Sequence, residues 1–244
     1  MCFDTDSTPP IPVISGAAVS HEHLTLRAHD GNEFAAFRAV ADGADRTTCV
    51  VILPDVRGLY RFYEELALRF AERGRNAIAF DYFGRSLGVG TRENDWDYMP
   101  HVQQLSTAQV QADVGACVGD LRALGCTSIF SVGFCFGGSG SWNAAAHHHG
   151  LNGAVGFYGR PARTLELVPQ YECPILALQG GADQAISHED NLEFEHALRE
   201  HGKEYELVEY EGAPHSFFDR KQEEFQEASD DAWRRVLEFI GRYE

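Results

Sequence analysis

Ser128-Ile129-Phe130-Ser131-Val132-Gly133-Phe134-Cys135-Phe136-Gly137-Gly138 runs from an apolar segment straight into a glycine-rich turn. The apolar part, Ser128 to Val132, reads as a strand covered on both faces. Phe136 to His148 reads as a helix. A strand, a sharp turn and a helix in that order form a nucleophile elbow, which lifts one side chain above the edge of a sheet. Gly133 and Gly137 leave room for close backbone approach around the turn. The helix that starts after Cys135 aims its first N–H groups at the site, which favours a thiolate or an oxyanion. The N–H of Phe136 is then a natural oxyanion donor. Taken alone, the stretch also fits an unreactive buried cysteine beside a tight turn.

The surrounding chain repeats the same alternation. Upstream, His21 to Ala28 and Glu33 to Val40 are strand-like and flank Asp30-Gly31, an opening hairpin. Cys49 to Leu53 and Asn76 to Phe80 are continuous apolar runs. Between them Leu59, Phe62, Leu66 and Phe70 recur at helical spacing, with Gly74 as the stop. Residues 82–105 are irregular and carry Trp96, Tyr98 and Met99. Ser106 and Gln109 form a capping-box signal for a helix ending at Gly125. Downstream, strands are predicted at Val155–Tyr158, Ile175–Leu178 and Tyr205–Tyr210, with helices near 188–201 and 226–241. This is an α/β fold with a mostly parallel central sheet, helices on both faces and an antiparallel opening hairpin. Residues 1–16, rich in Pro, Ser and Thr, read as a flexible N-terminal arm, and 17–244 as a single domain.

Two partners for Cys135 follow in chain order. The strand Ile175–Leu178 leads into Gln179-Gly180-Gly181-Ala182-Asp183, and the strand Tyr205–Tyr210 into Glu211-Gly212-Ala213-Pro214-His215-Ser216-Phe217. Asp183 and His215 therefore lie past the carboxyl ends of strands, on the edge where Cys135 sits. Nucleophile, acid and base in this order are what such a sheet uses for acyl transfer. Separately, Asp183 is an ordinary turn residue and His215 an ordinary loop histidine; their order and placement make them a set.

Bulk properties narrow the partners. The 244 residues carry 20 Lys+Arg and 37 Asp+Glu, a formal charge of −17. Such a surface repels phosphate backbones and anionic lipid, so neither nucleic acid nor a membrane is expected as partner. A small-molecule substrate is expected instead. The six cysteines, Cys2, Cys49, Cys117, Cys126, Cys135 and Cys173, include no CxxC pair. Cys49, Cys117 and Cys173 read as small buried hydrophobes rather than as a disulfide framework. No charged apolar leader opens the chain, Cys2 has no apolar stretch before it, and a cytoplasmic location is expected. His147-His148-His149 at a helix end reads as solvated, since adjacent residues point in different directions; no metal and no cofactor are expected.

The turn at 133–138, the Gly181-Ala182-Asp183 loop and the Ala213-Pro214-His215-Ser216-Phe217 loop resemble those of the dienelactone hydrolases, a family of the α/β-hydrolase superfamily. Leu53-Pro54-Asp55-Val56-Arg57-Gly58 matches a fourth element, where that family places an acid beside its nucleophile. The resemblance spans about residues 20–242, and cysteine at the elbow is its specific part. It implies an α/β-hydrolase fold, a Cys135-His215-Asp183 triad, an oxyanion hole from the N–H groups of Phe136 and Val56, and hydrolysis of a lactone or ester. Two departures stand out. The nucleophile-adjacent acid is Asp55 where the family usually has Glu. The family's carboxylate-binding arginine has no match in Met99-Pro100-His101-Val102-Gln103-Gln104. Arg57, Arg85 and Arg92 are the candidate substitutes, and Trp96, Tyr98 and Ser216 are further candidate substrate contacts.

The expected chemistry is thiolate attack on an acyl carbon, a thioester intermediate, and water activated by His215. Neutral short-chain esters or lactones are expected to react at least as well as anionic ones. A thioesterase or acyltransferase with the same triad is the nearest rival. A non-catalytic redox sensor using Cys135 is the rival from another class, but a sensor needs neither the acid nor the base.

Overall fold

The computed structural model describes residues 3, 4, 6–17, 19–43, 47–90, 92 and 96–244. Among these, eight strands form one sheet: β1 (Val19–Arg27), β2 (Glu33–Ala41), β3 (Thr48–Leu53), β4 (Asn76–Phe80), β5 (Ser128–Phe134), β6 (Gly153–Phe157), β7 (Ile175–Gly180) and β8 (Tyr205–Tyr210). Their spatial order is β1-β2-β4-β3-β5-β6-β7-β8. β1 and β2 pair antiparallel as the expected hairpin, with Arg27 opposite Glu33, and β2 meets β4 antiparallel. From β4 to β8 every pairing is parallel. This is the mostly parallel sheet with an antiparallel opening hairpin that the alternating pattern predicts, and it agrees with the α/β-hydrolase fold that the resemblance implies.

Helices cover both faces. On one side α1 (Arg61–Ala71) and α7 (Gln226–Tyr243) bury Phe62, Leu66, Phe70, Val236, Phe239 and Ile240 against Val50 and Ile52 of β3. On the other, α4 (Thr107–Ala123) lays Val110, Val114, Cys117 and Leu121 on Cys49, Val51 and Leu53. β3 thus feeds alternate residues into two cores, which is why its sequence is apolar without a break. α5 (Phe136–Ala144) and α6 (His188–Glu200) complete the second face, where Trp142 meets Phe194. Ser106 and Gln109 close the expected capping box. Gly74 and Gly125 stop α1 and α4 with positive φ, a conformation that costs other residues a steric penalty. The irregular stretch 82–105 holds two single-turn helices, α2 (Gly84–Leu87) and α3 (Met99–Val102).

Three features differ from the sequence reading. The helix after the elbow ends at Ala144 rather than at His148. His149 turns inward to bond Gln111, so the histidine run is only partly solvated. The N-terminal segment, expected as a flexible arm, lies on the domain: Phe3, Ser7 and Ile11 are all buried. Its proline-rich composition excludes helix, not docking. Cys2 lies outside the described residues.

A fourth difference is a covalent one. Cys49 and Cys126 form a disulfide with a Cα–Cα separation of 6.1 Å, tying the start of β3 to the turn before β5. Both residues are buried, so the bond is out of reach of soluble thiols. Spacing alone does not reveal it, because 77 residues separate the two. Cys117, Cys135 and Cys173 are not in disulfides. Cys49→Ala and Cys126→Ala should each lower stability by about 2–4 kcal/mol. The double variant should lose little more, as urea unfolding without reductant would show.

Candidate active site

Cys135 sits at the junction of β5 and α5 with φ 56° and ψ −111°, a conformation that L-residues rarely adopt. Its own N–H donates to the Phe157 carbonyl at 2.9 Å, which fixes the turn to β6. Glycine is required at 133 and 137 for a concrete reason. A Cβ on Gly133 would strike the carbonyl of Gly137, and one on Gly137 would strike the carbonyls of Leu53 and Pro54. The first turn of α5 is thereby pressed against the end of β3, which brings the 54–58 loop beside the nucleophile. Two other non-glycine residues with positive φ, Tyr158 (37°) and Ser216 (63°), belong to the same site. Backbone strain concentrated in this way is typical of functional sites.

The loops after β7 and β8 bring the other two residues in. Asp183 Oδ2 lies 2.6 Å from His215 Nδ1, and the Asp183 side chain is only 1 % exposed. The other Asp183 oxygen accepts the Ala185 N–H at 2.8 Å. His215 also bonds the Cys135 sulfur, and its ring rests on Tyr158 with 4.9 Å between centroids. Burial by itself would push the imidazolium toward losing its proton. The bonds to Asp183 and Cys135 outweigh that and raise the His215 pKa to about 9. Burial also opposes ionisation of Asp183, but His215 and the Ala185 N–H hold its carboxyl below the usual range. A protonated imidazole between a carboxylate and a sulfur is poised to stabilise a thiolate.

The 54–58 loop and the start of α5 hold the two candidate oxyanion donors. Asp55 N–H donates to Tyr63 Oη, Arg57 N–H to Asp55 Oδ1, and Gly58 N–H to the Asp55 carbonyl. The Val56 N–H remains uncommitted among the described hydrogen bonds. Phe136 N–H, first in its helix, has no intrahelical acceptor. Tyr82, absent from the sequence reading, donates to the Pro54 carbonyl at 2.7 Å and packs edge-on against Phe136. Asp81 is a second such residue. It is fully buried and accepts from the N–H of Leu59 and of Phe83, joining the loops after β3 and β4. Both stand directly after β4, a strand end that carries no motif.

The candidate substrate contacts fare unevenly. Asp55 accepts from Arg57 Nη2 at 3.0 Å and from Tyr60 Oη at 2.8 Å, so Arg57 serves to hold this carboxylate. Arg85 pairs with Asp30 and Asp113, each at 2.8 Å. Arg92 pairs with Asp81 at 2.9 Å. All three arginines are engaged by internal carboxylates. Trp96 stacks edge-on with Phe83 and lies near Tyr98 and His101. Ser216 is buried next to His215. A cavity of about 380 Å³ opens beside Phe136, lined by Met99, Val102, Leu105, Val110 and Arg163 among others. Arg163 is exposed, and its guanidinium lies 5.4 Å from the centre of the Phe136 ring. Nothing in the sequence pattern marks Arg163, which follows β6 in a one-turn 3-10 segment. Among the described residues no group of His, Cys, Asp and Glu is placed to hold a metal ion, and no helix is long and apolar enough to cross a membrane.

Known proteins share this organisation. The sequence pattern of the dienelactone hydrolase family matches residues 34–244. A candidate carboxymethylenebutenolidase of Methylorubrum extorquens is 28% identical over 223 residues, covering 85% of this chain and 76% of its own length. One from Escherichia coli K12 is 28% identical over 259 residues, covering 97% and 90%. The crystal structure of a candidate dienelactone hydrolase from Klebsiella pneumoniae superimposes with a TM-score of 0.83 at 25% identity, covering 93% of this chain and all of that one.

The raised His215 pKa generates a test. Turnover that needs the imidazolium should fall as pH rises through about 9. Asp183→Asn removes the carboxylate that supports the charge, so the alkaline limb should move down in pH while the protein stays folded. A pH–rate profile of both proteins checks the direction. Tyr82→Phe should leave KM near normal and lower kcat about ten- to a hundredfold, because it loosens the Pro54–Asp55 peptide, one unit ahead of the Val56 N–H.

Proposed function

We propose, from the premise that the chain belongs to the dienelactone hydrolase family, that it cleaves a small lactone or carboxylic ester through Cys135, His215 and Asp183. It is a hydrolase of the ester and lactone class, as its family and its carboxymethylenebutenolidase-type relatives indicate. The observation that carries the triad is the single imidazole bridging the Asp183 carboxylate and the Cys135 sulfur. That bridge stands at the start of a helix and beside two uncommitted N–H groups.

In this reading the resting pair is a thiolate and an imidazolium. The sulfur attacks the acyl carbon, and the carbonyl π electrons move onto oxygen, held by the N–H groups of Phe136 and Val56. One such donor is worth about a hundred- to thousandfold in rate. The oxyanion collapses, the C–O bond breaks, and His215 gives its proton to the departing alkoxide. The product is a thioester and a neutral imidazole. Water then attacks the thioester while His215 takes its proton. Collapse of the second oxyanion expels the thiolate, releases the acid and restores the imidazolium. Asp183 keeps the ring in one orientation and stabilises its charged form. A thioesterase or acyltransferase would share every step but the identity of the leaving group or acceptor. A redox sensor would not use the imidazole–carboxylate support.

Residues 17–244 form the catalytic domain in this reading, with the N-terminal segment docked on it. Cys117, Cys135 and Cys173, none of them in a disulfide, support work in a reducing cytoplasm, and the Cys49–Cys126 bond is shielded from soluble reductants. Neutral substrates are favoured because Arg57, Arg85 and Arg92 are already neutralised by internal carboxylates.

Cys135→Ala should be folded and inactive toward p-nitrophenyl acetate. Combining it with His215→Ala should cost nothing further, since the two act as a unit. Multiplying losses would contradict the triad. Catalytic efficiency on an anionic lactone should not exceed that on its neutral methyl ester. A strong preference for the anion that disappears in Arg163→Ala would show that Arg163 supplies the missing clamp.

A further inference from the structure

The N-terminal segment is fastened against the side of the site where His215 stands. Phe3 stacks on Phe62 with centroids 4.0 Å apart and meets Phe134 and Tyr158 edge-on, each at 6.2 Å. Phe134 precedes the nucleophile, and Tyr158 lies on His215. Ser7 Oγ donates to Asp219 Oδ2 at 2.7 Å in a buried bond, and Arg220 N–H donates to the Thr8 carbonyl. Lys221 pairs with Asp6 and lies 4.0 Å from Asp4. These contacts border a second cavity of about 370 Å³, lined by Phe3, Asp4, Asp183, Gln184, His215 and Asp219 among others. One wall is thus built by the triad's acid and base and the opposite wall by residues 3 and 4. The segment lies outside the residues that match the family, which begin at 34.

The chemistry tells which part of a substrate belongs there. His215 must hand its proton to the leaving alkoxide, so the alcohol portion of an ester departs on the His215 side of the sulfur. The cavity on that side is lined by the exposed Asp4 and the buried Asp183 and Asp219, with no lysine or arginine among its described lining residues. Lys221 is the nearby cation, and it is already paired with Asp6. An anionic alcohol portion would meet net negative charge, since Asp4, Asp6, Asp183 and Asp219 outnumber Lys221 and His215; an uncharged or cationic one would not be opposed. We propose that the N-terminal segment is a specificity-determining wall of an alcohol-side subsite, in which Phe3 sets the size and Asp4 the charge of the leaving group accepted. This rests on the triad reading above, and it adds a substrate class: esters whose alcohol portion is neutral or cationic.

The test uses the full-length protein with Phe3→Ala, Phe3→Leu and Asp4→Lys. Two series of neutral esters are compared by kcat/KM: acetates of alcohols from methanol to benzyl alcohol, and methyl esters of acids from acetic to phenylacetic. Phe3→Ala should change the benzyl-to-methyl ratio of the alcohol series by about fivefold or more, and leave the acyl-series ratio within about twofold. Phe3→Leu keeps an apolar contact on Phe62 and should show a smaller shift in the same direction, so a folding defect in Phe3→Ala does not decide the matter. Asp4→Lys should lower the preference for acetylcholine over its neutral isostere 3,3-dimethylbutyl acetate by about fivefold or more. Unchanged ratios, or an acyl series that moves as much as the alcohol series, would overturn the proposal. Wild-type ratios measured alongside Cys135→Ala separate the two readings. Turnover surviving in Cys135→Ala sinks the triad, whereas a dead Cys135→Ala with unmoved ratios sinks only the role of the segment.

Discussion

The contact on which the site depends is backbone against backbone. The first turn of α5 approaches the ends of β3 and β5 so closely that no side chain fits at Gly133 or Gly137. That approach forces Cys135 into a left-handed conformation and draws the 54–58 loop up to the nucleophile. It also aligns the helix N-terminus with the sulfur, where its partial positive charge does the most. Everything polar in the site is hung on this packing. Tyr82 and Tyr63 hold the carbonyl and the N–H of the Pro54–Asp55 peptide, one unit ahead of the Val56 N–H, and Asp81 ties that loop to the one after β4.

Much of this was legible in the residues because the physics is local. An unbroken apolar strand, a glycine pair and a helix start are written in adjacent positions, so the elbow was readable from 128–138. Asp183 and His215 were readable because each follows a strand by a few residues. What lay beyond reach depends on distant parts meeting. Arg57, Arg85 and Arg92 are plausible clamps in a list of charges, yet Arg57 is matched by Asp55 two residues away, and Arg85 and Arg92 by carboxylates that only the fold brings near. Arg163 is unremarkable in sequence and acquires meaning only from the Phe136 ring beneath it. The Cys49–Cys126 bond is of the same kind, since strands β3 and β5 become neighbours across 77 residues. Proline-rich composition was read as freedom in residues 1–16, but burial of Phe3 and Ile11 depends on apolar side chains that a compositional argument averages away.

The distribution of charge follows from these pairings. A chain with a net charge of −17 keeps its buried arginines on structural duty, where each offsets a carboxylate that burial would otherwise penalise. The triad is the exception, because its one cation is a histidine whose charge comes and goes with the reaction. Placing a fixed guanidinium beside the sulfur would hold the thiolate but would supply no proton to the leaving group. The imidazole does both, at the cost of needing Asp183 to keep its charged form accessible.

The two ends of the chain stand on opposite rims of the sheet. Phe3 lies among the loops that follow β5, β6 and β8, whereas Glu244 bonds Thr48 and pairs with Arg75, where β3 and β4 begin. An addition at the amino end is therefore tethered on the rim that carries Cys135 and His215, and an addition after residue 244 on the opposite rim. A purification handle or reporter on the amino end would share space with incoming substrate. The same addition on the carboxyl end would leave the mouth of the site clear, and would make immobilisation on a surface compatible with turnover.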